Sequence, residues 1–415
     1  MKQARLIRSL DTTEYGADWV HFGDLNGDGR PEMVFRQGPC MLDSKVFTIG
    51  RFEGWISPED QAVFCLTATD VEGRILWQVG EPFRGERPYR THGGNRMTQV
   101  ADVDGDGRDE VALIRYDRLL VYDGLDGSVK RERALPYDNF CRVLPVNVSG
   151  GDYPGEVLAQ CGDEAYPPYT YANPAILYDR NLEALWPERS YVGAGHNPNA
   201  LDVDGDGRDE LFIGYTMVDH TGEVLWALDI PDPSEHVDYR VLDDLDGDGE
   251  VEIAYAGSRD ALLVSLRGEV LWKKEHHHIQ RCATGKYRAD VEGRQVVFCE
   301  KHQDRVYCYR HDGVELWSRG ARGYARTLAG AGEGGLDLIL FESPTGAFPY
   351  ALDGRGEEAF GFPEAKGYQI PPFEGRQRGD WGLNLKAELC DIDGDGREEV
   401  LVHDRKRMCI YAVPE

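Results

Sequence analysis

Five nine-residue stretches of this chain set side chains that can bind a cation at the same places. DVDGDGRDE stands at 102–110 and again at 202–210, with near-copies at 24–32 (DLNGDGRPE), 244–252 (DLDGDGEVE) and 391–399 (DIDGDGREE). Positions 1, 3, 5 and 9 carry acids, apart from an asparagine at 26, and positions 4 and 6 are glycine. Alternating carboxylates on a tight turn can aim their oxygens at one hard cation, and glycine adopts the backbone angles that such a turn requires. The ligand sets in this register are Asp24, Asn26, Asp28 and Glu32; Asp102, Asp104, Asp106 and Glu110; Asp202, Asp204, Asp206 and Glu210; Asp244, Asp246, Asp248 and Glu252; and Asp391, Asp393, Asp395 and Glu399. The expected ion is Ca2+, in a structural role, because the set recurs many times whereas chemistry usually needs one site. A helix–loop–helix calcium site would carry its last acid further along and be flanked by amphipathic helices. Here the ninth residue runs straight into an apolar stretch such as VALIRY or LFIGY, so each loop joins two strands.

Worn copies lie between the intact ones. VNVSGGDYPGEVLAQC (146–161), GKYRADVEGRQVVFC (285–299) and AGAGEGGLDLILF (329–341) keep a strand, a Gly-rich turn and a strand without the full acid set. A second signature follows most units: EGRILW (72–77), NLEALW (181–186), TGEVLW (221–226), RGEVLW (267–272) and GVELW (313–317). The unit therefore reads as strand A, acidic loop, strand B, connection, strand C, Gly turn, and strand D ending in Trp. Four short antiparallel strands repeated every ~40–60 residues make a propeller blade. The fold class is all-β: a single β-propeller domain over 1–415 with eight blades, entering near 18, 96, 141, 196, 238, 280, 324 and 385. Seven blades is the alternative if the weak unit at 324–360 packs irregularly. No sustained 3.6-residue periodicity supports helical repeats.

Composition narrows the partners. The net charge of −28 argues against nucleic acid or an anionic membrane surface. Residues 1–16 lack the apolar core of a secretory signal, and no run is long enough to span a bilayer. Nine cysteines, with Cys65, Cys161, Cys299 and Cys409 inside apolar strand patterns, suit buried thiols in a reducing cytoplasm.

Blade topology says where chemistry belongs. The start of strand A and the B–C connection share one face of the disc, opposite the acidic loops. Reading upstream of each loop collects His92, Arg96, His196, Asn197, His236, Tyr239, Arg240, His277, His278, Arg281, Tyr324 and Arg326 at that rim. The B–C connections add Tyr215, Tyr255 and Arg259. Any one of these is an ordinary surface or strand residue, but several blades supplying such groups to one mouth describe a ligand site. Arginine forks pair with carboxylates, and His and Tyr move protons. A uronic-acid-containing oligo- or polysaccharide fits: Arg neutralises the sugar carboxylate and acidifies C5–H, one of His and Tyr removes that proton, and the other protonates the departing O4. No G-x-S-x-G elbow, HExxH motif, phosphate loop or pair of hydrolase carboxylates is evident.

The string GHNPNALDVDGDGRDELFIGYTMVDHTGEVLW (195–226) resembles the central blade of the β-propeller polysaccharide lyases, which include rhamnogalacturonan, ulvan and rhamnose–glucuronate lyases. HHIQRCATGKYRADVEGRQVV (277–297) and AELCDIDGDGREEVLV (387–402) are similar to later blades of that group. The resemblance implies cleavage of a rhamnose–glucuronate type glycan, with His196 matching the motif histidine. By blade position it implies Tyr255, Arg281 and Tyr324 as its catalytic companions. The remaining rim residues would bind substrate. A second histidine that such enzymes carry after strand B is replaced by Tyr215-Thr216-Met217, which leaves open a related propeller hydrolase acting through a histidine. A non-catalytic calcium propeller that binds carbohydrate or protein is the competing class. A quinone-cofactor propeller, suggested by the TGEVLW strings, is disfavoured by the acidic loops.

Overall fold

The computed structural model describes residues 2–38, 62–85, 95–162, 168–232, 234–321, 323–342, 348–363 and 385–414. Their strands form eight sheets, each built on four strands in an antiparallel meander. We number the blades 1 (19–81), 2 (98–134), 3 (140–189), 4 (199–227), 5 (237–275), 6 (279–320), 7 (324–361) and 8 (386–412). Entry points fall within a few residues of those expected, and the weak unit at 324–360 is a regular sheet, so there are eight blades.

Blade 8 takes only three strands from the end of the chain. Arg5–Asp11 supplies its outer strand, with Ser9 opposite Cys409 and Leu10 opposite Met408. Lys2–Gln3 then pairs in parallel with the outer strand of blade 7. The start of the chain thereby staples blades 7 and 8.

Each sheet buries both faces, which is why strands B and C read as almost unbroken apolar runs. The eight buried clusters each span two neighbouring blades. One of them, containing Leu10, Val20, Phe35, Leu401 and Ile410, joins blade 8 to blade 1 and closes the ring.

The Trp signature is the second inter-blade device. Trp sits near the start of strand D rather than at its end. Trp77, Trp226, Trp272 and Trp317 donate Nε1–H to Gly124, Leu266, His311 and Gly354 carbonyls in the next blade's C–D turn, at 2.6–2.9 Å. A glycine of that turn lies under each ring. A Cβ at Gly127 would come 2.6 Å from the Trp77 ring, and one at Gly268 would come 2.8 Å from Trp226.

The five intact loops share one hydrogen-bond scheme. The first Asp accepts the N–H groups of the two glycines, and the ninth-position Glu accepts the N–H of the second residue. Both glycines have positive φ in every copy, as at Gly205 (76°) and Gly207 (85°). Acids 1 and 9 thus fold the loop as well as facing its centre.

Trp77→Ala should cost about 3–5 kcal/mol by loss of packing across blades 1 and 2. Trp77→Phe should cost about 1 kcal/mol, through the lost bond to Gly124. Urea unfolding midpoints check both, and a Trp77→Phe variant as stable as wild type would show that the indole N–H contributes nothing.

Candidate active site

Three inner strands start with an irregularity. Pairing shifts register between Phe140 and Arg142, between Val237 and Tyr239, and between Ile279 and Arg281, leaving Cys141, Asp238 and Gln280 as the extra residues. Such bulges re-aim side chains. In blades 5 and 6 they turn Asp238 and Gln280 into a cluster of histidines.

Asp238 is the hub, with its side chain only 3% exposed. Its Oδ1 lies 3.3 Å from His196 Nε2 and accepts from Gln280 Nε2 at 2.6 Å. Its Oδ2 lies 3.2 Å from His278 Nε2 and 3.6 Å from His236 Nε2. Burial alone would raise the Asp238 pKa. Hydrogen bonds from His196 and His278, with the electrostatic pull of the surrounding imidazoles, more than offset this and hold the carboxyl below its ordinary value. Tyr171 from blade 3 covers the group, its hydroxyl 3.2 Å from His196 Nε2 and its ring 4.3 Å from that of His236.

Arg142 decides the proton position on His196. Its NH2 lies 2.7 Å from His196 Nδ1, and its Nε donates to the His196 carbonyl at 3.0 Å. A guanidinium can only donate, so Nδ1 accepts and Nε2 carries the hydrogen, directed at Tyr171 and Asp238. His196, His236 and Asp238 bring ligand atoms within 4.8 Å of one another, as a metal site would. The fixed tautomer argues against an ion there, because a protonated Nε2 has no lone pair to offer.

Beside this cluster lies a second group. Arg281 stacks on the Tyr239 ring, with Cζ 4.0 Å from its centre. Arg96 reaches in from blade 2, with its Nε donating to Asn197 Oδ1 at 3.3 Å, while Asn197 Nδ2 holds the Asp238 carbonyl at 2.5 Å. The charge of Arg281 lowers the Tyr239 pKa; burial opposes this, and Arg96 and Arg326 reinforce it. Arg326 is paired with Glu388 at 2.7 Å, whereas among the described residues no carboxylate pairs with Arg96 or Arg281. Two guanidinium groups that no described carboxylate pairs, set around a phenol whose pKa they lower, can receive an anion.

The structure thus brings together His196, Asn197, His236, Tyr239, His278, Arg96, Arg281 and Arg326. Tyr324 joins them half-buried; burial first, and Glu342 next, push its hydroxyl up to about 12. Five expected residues lie elsewhere. Tyr255 is fully buried between blades 4 and 5, because strand B runs on to Gly257 and points it into the core. Tyr215 is buried too, donating to Glu235 Oε1 at 2.9 Å. Arg240 is buried and ties strand A of blade 5 to the Phe212 and Gly214 carbonyls. Arg259 is exposed and pairs with Asp232 at 2.5 Å. His277 faces solvent in the short connection between blades 5 and 6, although its neighbour His278 enters the cluster. His92 lies outside the described residues.

Sequence reading missed Arg142, Tyr171 and Asp238. Arg142 occupies the blade 3 position that Arg281 holds in blade 6, so the same offset would have found it.

At the opposite rim, four loops present oxygens close enough to share a metal: Asp102, Asp104 and Glu110; Asp202, Asp204 and Asp206; Asp244, Asp246 and Asp248; and Asp391, Asp393 and Glu399. Burial, with the neighbouring aspartates adding to it, raises Glu210, Glu252 and Glu399, the mark of crowded carboxylates short of counter-charge. An all-oxygen donor set suits a hard divalent cation. The first loop differs: Asn26 Nδ2 donates to Glu32 Oε1 at 2.7 Å, using a lone pair that a cation would need. A recess of about 910 Å³ among Tyr287, Arg288, Gly332 and Gly354 also lies on this rim, away from the histidines.

No family model matches the chain. Among curated proteins it is 25% identical over 428 residues to rhamnogalacturonan exolyase YesX of Bacillus subtilis (strain 168), covering 96% of this chain and 64% of the relative. Rhamnogalacturonan endolyase YesW of the same organism is 25% identical over 262 residues, 51% of this chain and 40% of the relative. The chain thus spans less than two-thirds of either. Among solved structures, exotype rhamnogalacturonan lyase YesX superposes with a TM-score of 0.67 at 19% identity, over 96% of this chain and 72% of the other. Bacillus licheniformis rhamnogalacturonan lyase PL11 gives 0.66 at 16%, over 99% and 76%. At these identities the superpositions establish the fold.

Asp238→Asn should destabilise the protein by about 3 kcal/mol at neutral pH, since it removes the anion that the histidines surround. A depressed folded pKa contributes stability above the unfolded value and loses it as pH falls through the folded one. The gap to wild type should therefore begin to close below pH 3.8 and shrink further in stronger acid. A gap that stayed constant across that range, in urea titrations at several pH values, would show that Asp238 is not the linked group.

Proposed function

We propose that this chain, whose relatives are the β-propeller rhamnogalacturonan lyases, cleaves a uronate-bearing, rhamnose-containing polysaccharide by β-elimination at the Arg96–Tyr239–Arg281 mouth. The observation that carries this reading is the pair of guanidinium groups that no carboxylate among the described residues pairs, one of them stacked on a phenol whose pKa is lowered.

A uronate carboxylate held by Arg96 and Arg281 has its charge neutralised, so C5–H becomes acidic and the enolate formed on its loss is stabilised. Tyr239, as phenolate, takes the C5 proton. The electron pair forms the C4=C5 double bond as the C4–O4 bond breaks. His196 donates Nε2–H to the departing O4, and Arg142 keeps the hydrogen on that nitrogen. Asp238 stabilises the ring on the other side. Tyr255, wholly buried, has no part in this scheme.

Stereochemistry bears on the glycan. H5 and O4 lie on opposite faces of a galacturonate ring and on the same face of a glucuronate ring. Separate proton-handling groups, Tyr239 in the channel and His196 beside it, suit the opposite-face case. Rhamnogalacturonan is therefore the first substrate to test, with rhamnose–glucuronate glycans beside it.

Calcium would be held structurally by the acids of blades 4, 5 and 8, and it supplies charge compensation there rather than chemistry. Buried thiols at Cys65, Cys161, Cys299 and Cys409 are consistent with the reducing compartment that we propose.

Incubation with rhamnogalacturonan should raise the ultraviolet absorbance of a 4,5-unsaturated uronate. Tyr239→Phe should lower kcat about 10²–10⁴-fold, and Arg281→Met should lower kcat/KM about 10²–10³-fold. New reducing ends without that absorbance would replace elimination by hydrolysis, and no product from any uronic glycan would sink the enzymatic reading. Chelation should lower Tm and added calcium restore it, each site contributing about 2.7 kcal/mol at a hundredfold excess over its Kd.

A further inference from the structure

Every outer strand carries a one-residue bulge at the same point, and blade 2 fills it differently. The bulge residue is Leu76, Leu185, Leu225, Leu271 or Leu316 in blades 1, 3, 4, 5 and 6, Ala359 in blade 7 and Ile7 in blade 8. In blade 2 it is Lys130. Leu76, Leu225 and Leu271 stand exposed on the perimeter. Lys130 instead folds over its own blade's acidic loop. Its Nζ lies 2.6 Å from Asp104 Oδ2, 2.8 Å from Glu110 Oε1, 3.6 Å from Asp123 Oδ2 and 3.7 Å from Asp106 Oδ2. Two guanidinium groups assist: Arg108 pairs with Asp106 at 2.6 Å, and Arg131 lies 3.6 Å from Asp104.

We infer that Lys130 is a built-in cation that replaces the metal in blade 2, so that this loop binds no divalent ion while those of blades 4, 5 and 8 do. The inference rests on the calcium reading above. A calcium ion needs six to eight oxygens around it. The ammonium already hydrogen-bonds to Asp104 and Glu110, two of the three ligands available here, and an entering ion would have to displace it against the pull of four carboxylates. Blade 5 shows the contrast. Its bulge carries Leu271, the loop residue matching Arg108 is Glu250, and Glu250 pairs outward with Arg267 at 3.2 Å. Asp244, Asp246 and Asp248 therefore have no ammonium from the outer strand.

Bound calcium per chain, counted by native mass spectrometry and by elemental analysis after desalting, tests this in the intact protein. Asp104→Asn should leave the wild-type count unchanged. Lys130→Met should gain one ion, and that ion should vanish in the Lys130→Met, Asp104→Asn double variant. Leu225→Lys, which moves the ammonium to blade 4, should lose one ion and so tests the same idea in a background that keeps Lys130. The inference is overturned if Asp104→Asn costs the wild type an ion, or if folded Lys130→Met gains none. Wild type and all variants binding no calcium would overturn the calcium reading together with this one, an outcome distinct from the other two.

Discussion

Every sheet of this ring must cover two apolar faces, and it has only its neighbours to cover them with. That constraint determines the rest of the structure. It forces the ring to close, as it does where the cluster of Leu10, Val20, Phe35 and Leu401 joins blade 8 to blade 1. It also explains why an N-terminal strand, rather than a fourth strand from the end of the chain, completes blade 8: the last sheet needs an outer strand, and pairing it with Arg5–Asp11 locks the two chain ends together. With the faces used for packing, polar groups are left only the strand ends and the central channel. The acidic loops and the candidate active site can therefore share one scaffold without competing for its core.

Much of this was legible because the repeat is periodic. A fixed offset from each acidic loop leads to the start of strand A, and the rim residues His196, Tyr239, His278 and Arg281 lie there. The same logic failed where periodicity carries no information. Strand B of blade 5 is buried on both faces, so an alternating pattern cannot say whether Tyr255 faces the mouth or the core; it faces the core. Asp238 was passed over because a bulge, which local sequence does not announce, turns it into the cluster. Tyr171 escaped because it sits in an irregular connection with no repeat to place it, whereas Arg142 stands at the offset that yields Arg281 in blade 6, whose loop is equally worn.

Two of the groups that organise the candidate site, Asp238 and Arg142, do not touch substrate in the proposed scheme. Asp238 can remain charged in a buried position because three imidazoles and Gln280 surround it. Arg142, which can only donate, fixes the hydrogen on His196 Nε2. Tyr239 depends in turn on Arg281 and Arg96, whose charges favour the phenolate. Each proton-handling group is thus tuned by a neighbour from another blade: blade 3 for His196, blades 2 and 6 for Tyr239. A site shared in this way relies on the blades keeping their relative positions, which the Trp contacts between successive blades enforce.

A chain of net charge −28 would be expected to repel a polyuronate. The arrangement of the charges answers this. The acidic loops and the mouth lie at opposite ends of the inner strands, and Val237–Asp243 has seven residues. At about 3.3 Å per residue that is roughly 20 Å, against a Debye length of about 8 Å at physiological ionic strength. More than two screening lengths separate the loops from the mouth, so their charge contributes little there. At short range a polyuronate at the proposed mouth would meet Arg96 and Arg281 instead, in a half-buried setting where screening is weaker. Bound calcium would reduce the residual repulsion further without approaching the reacting atoms, so a cation far from the mouth can still assist binding at low salt.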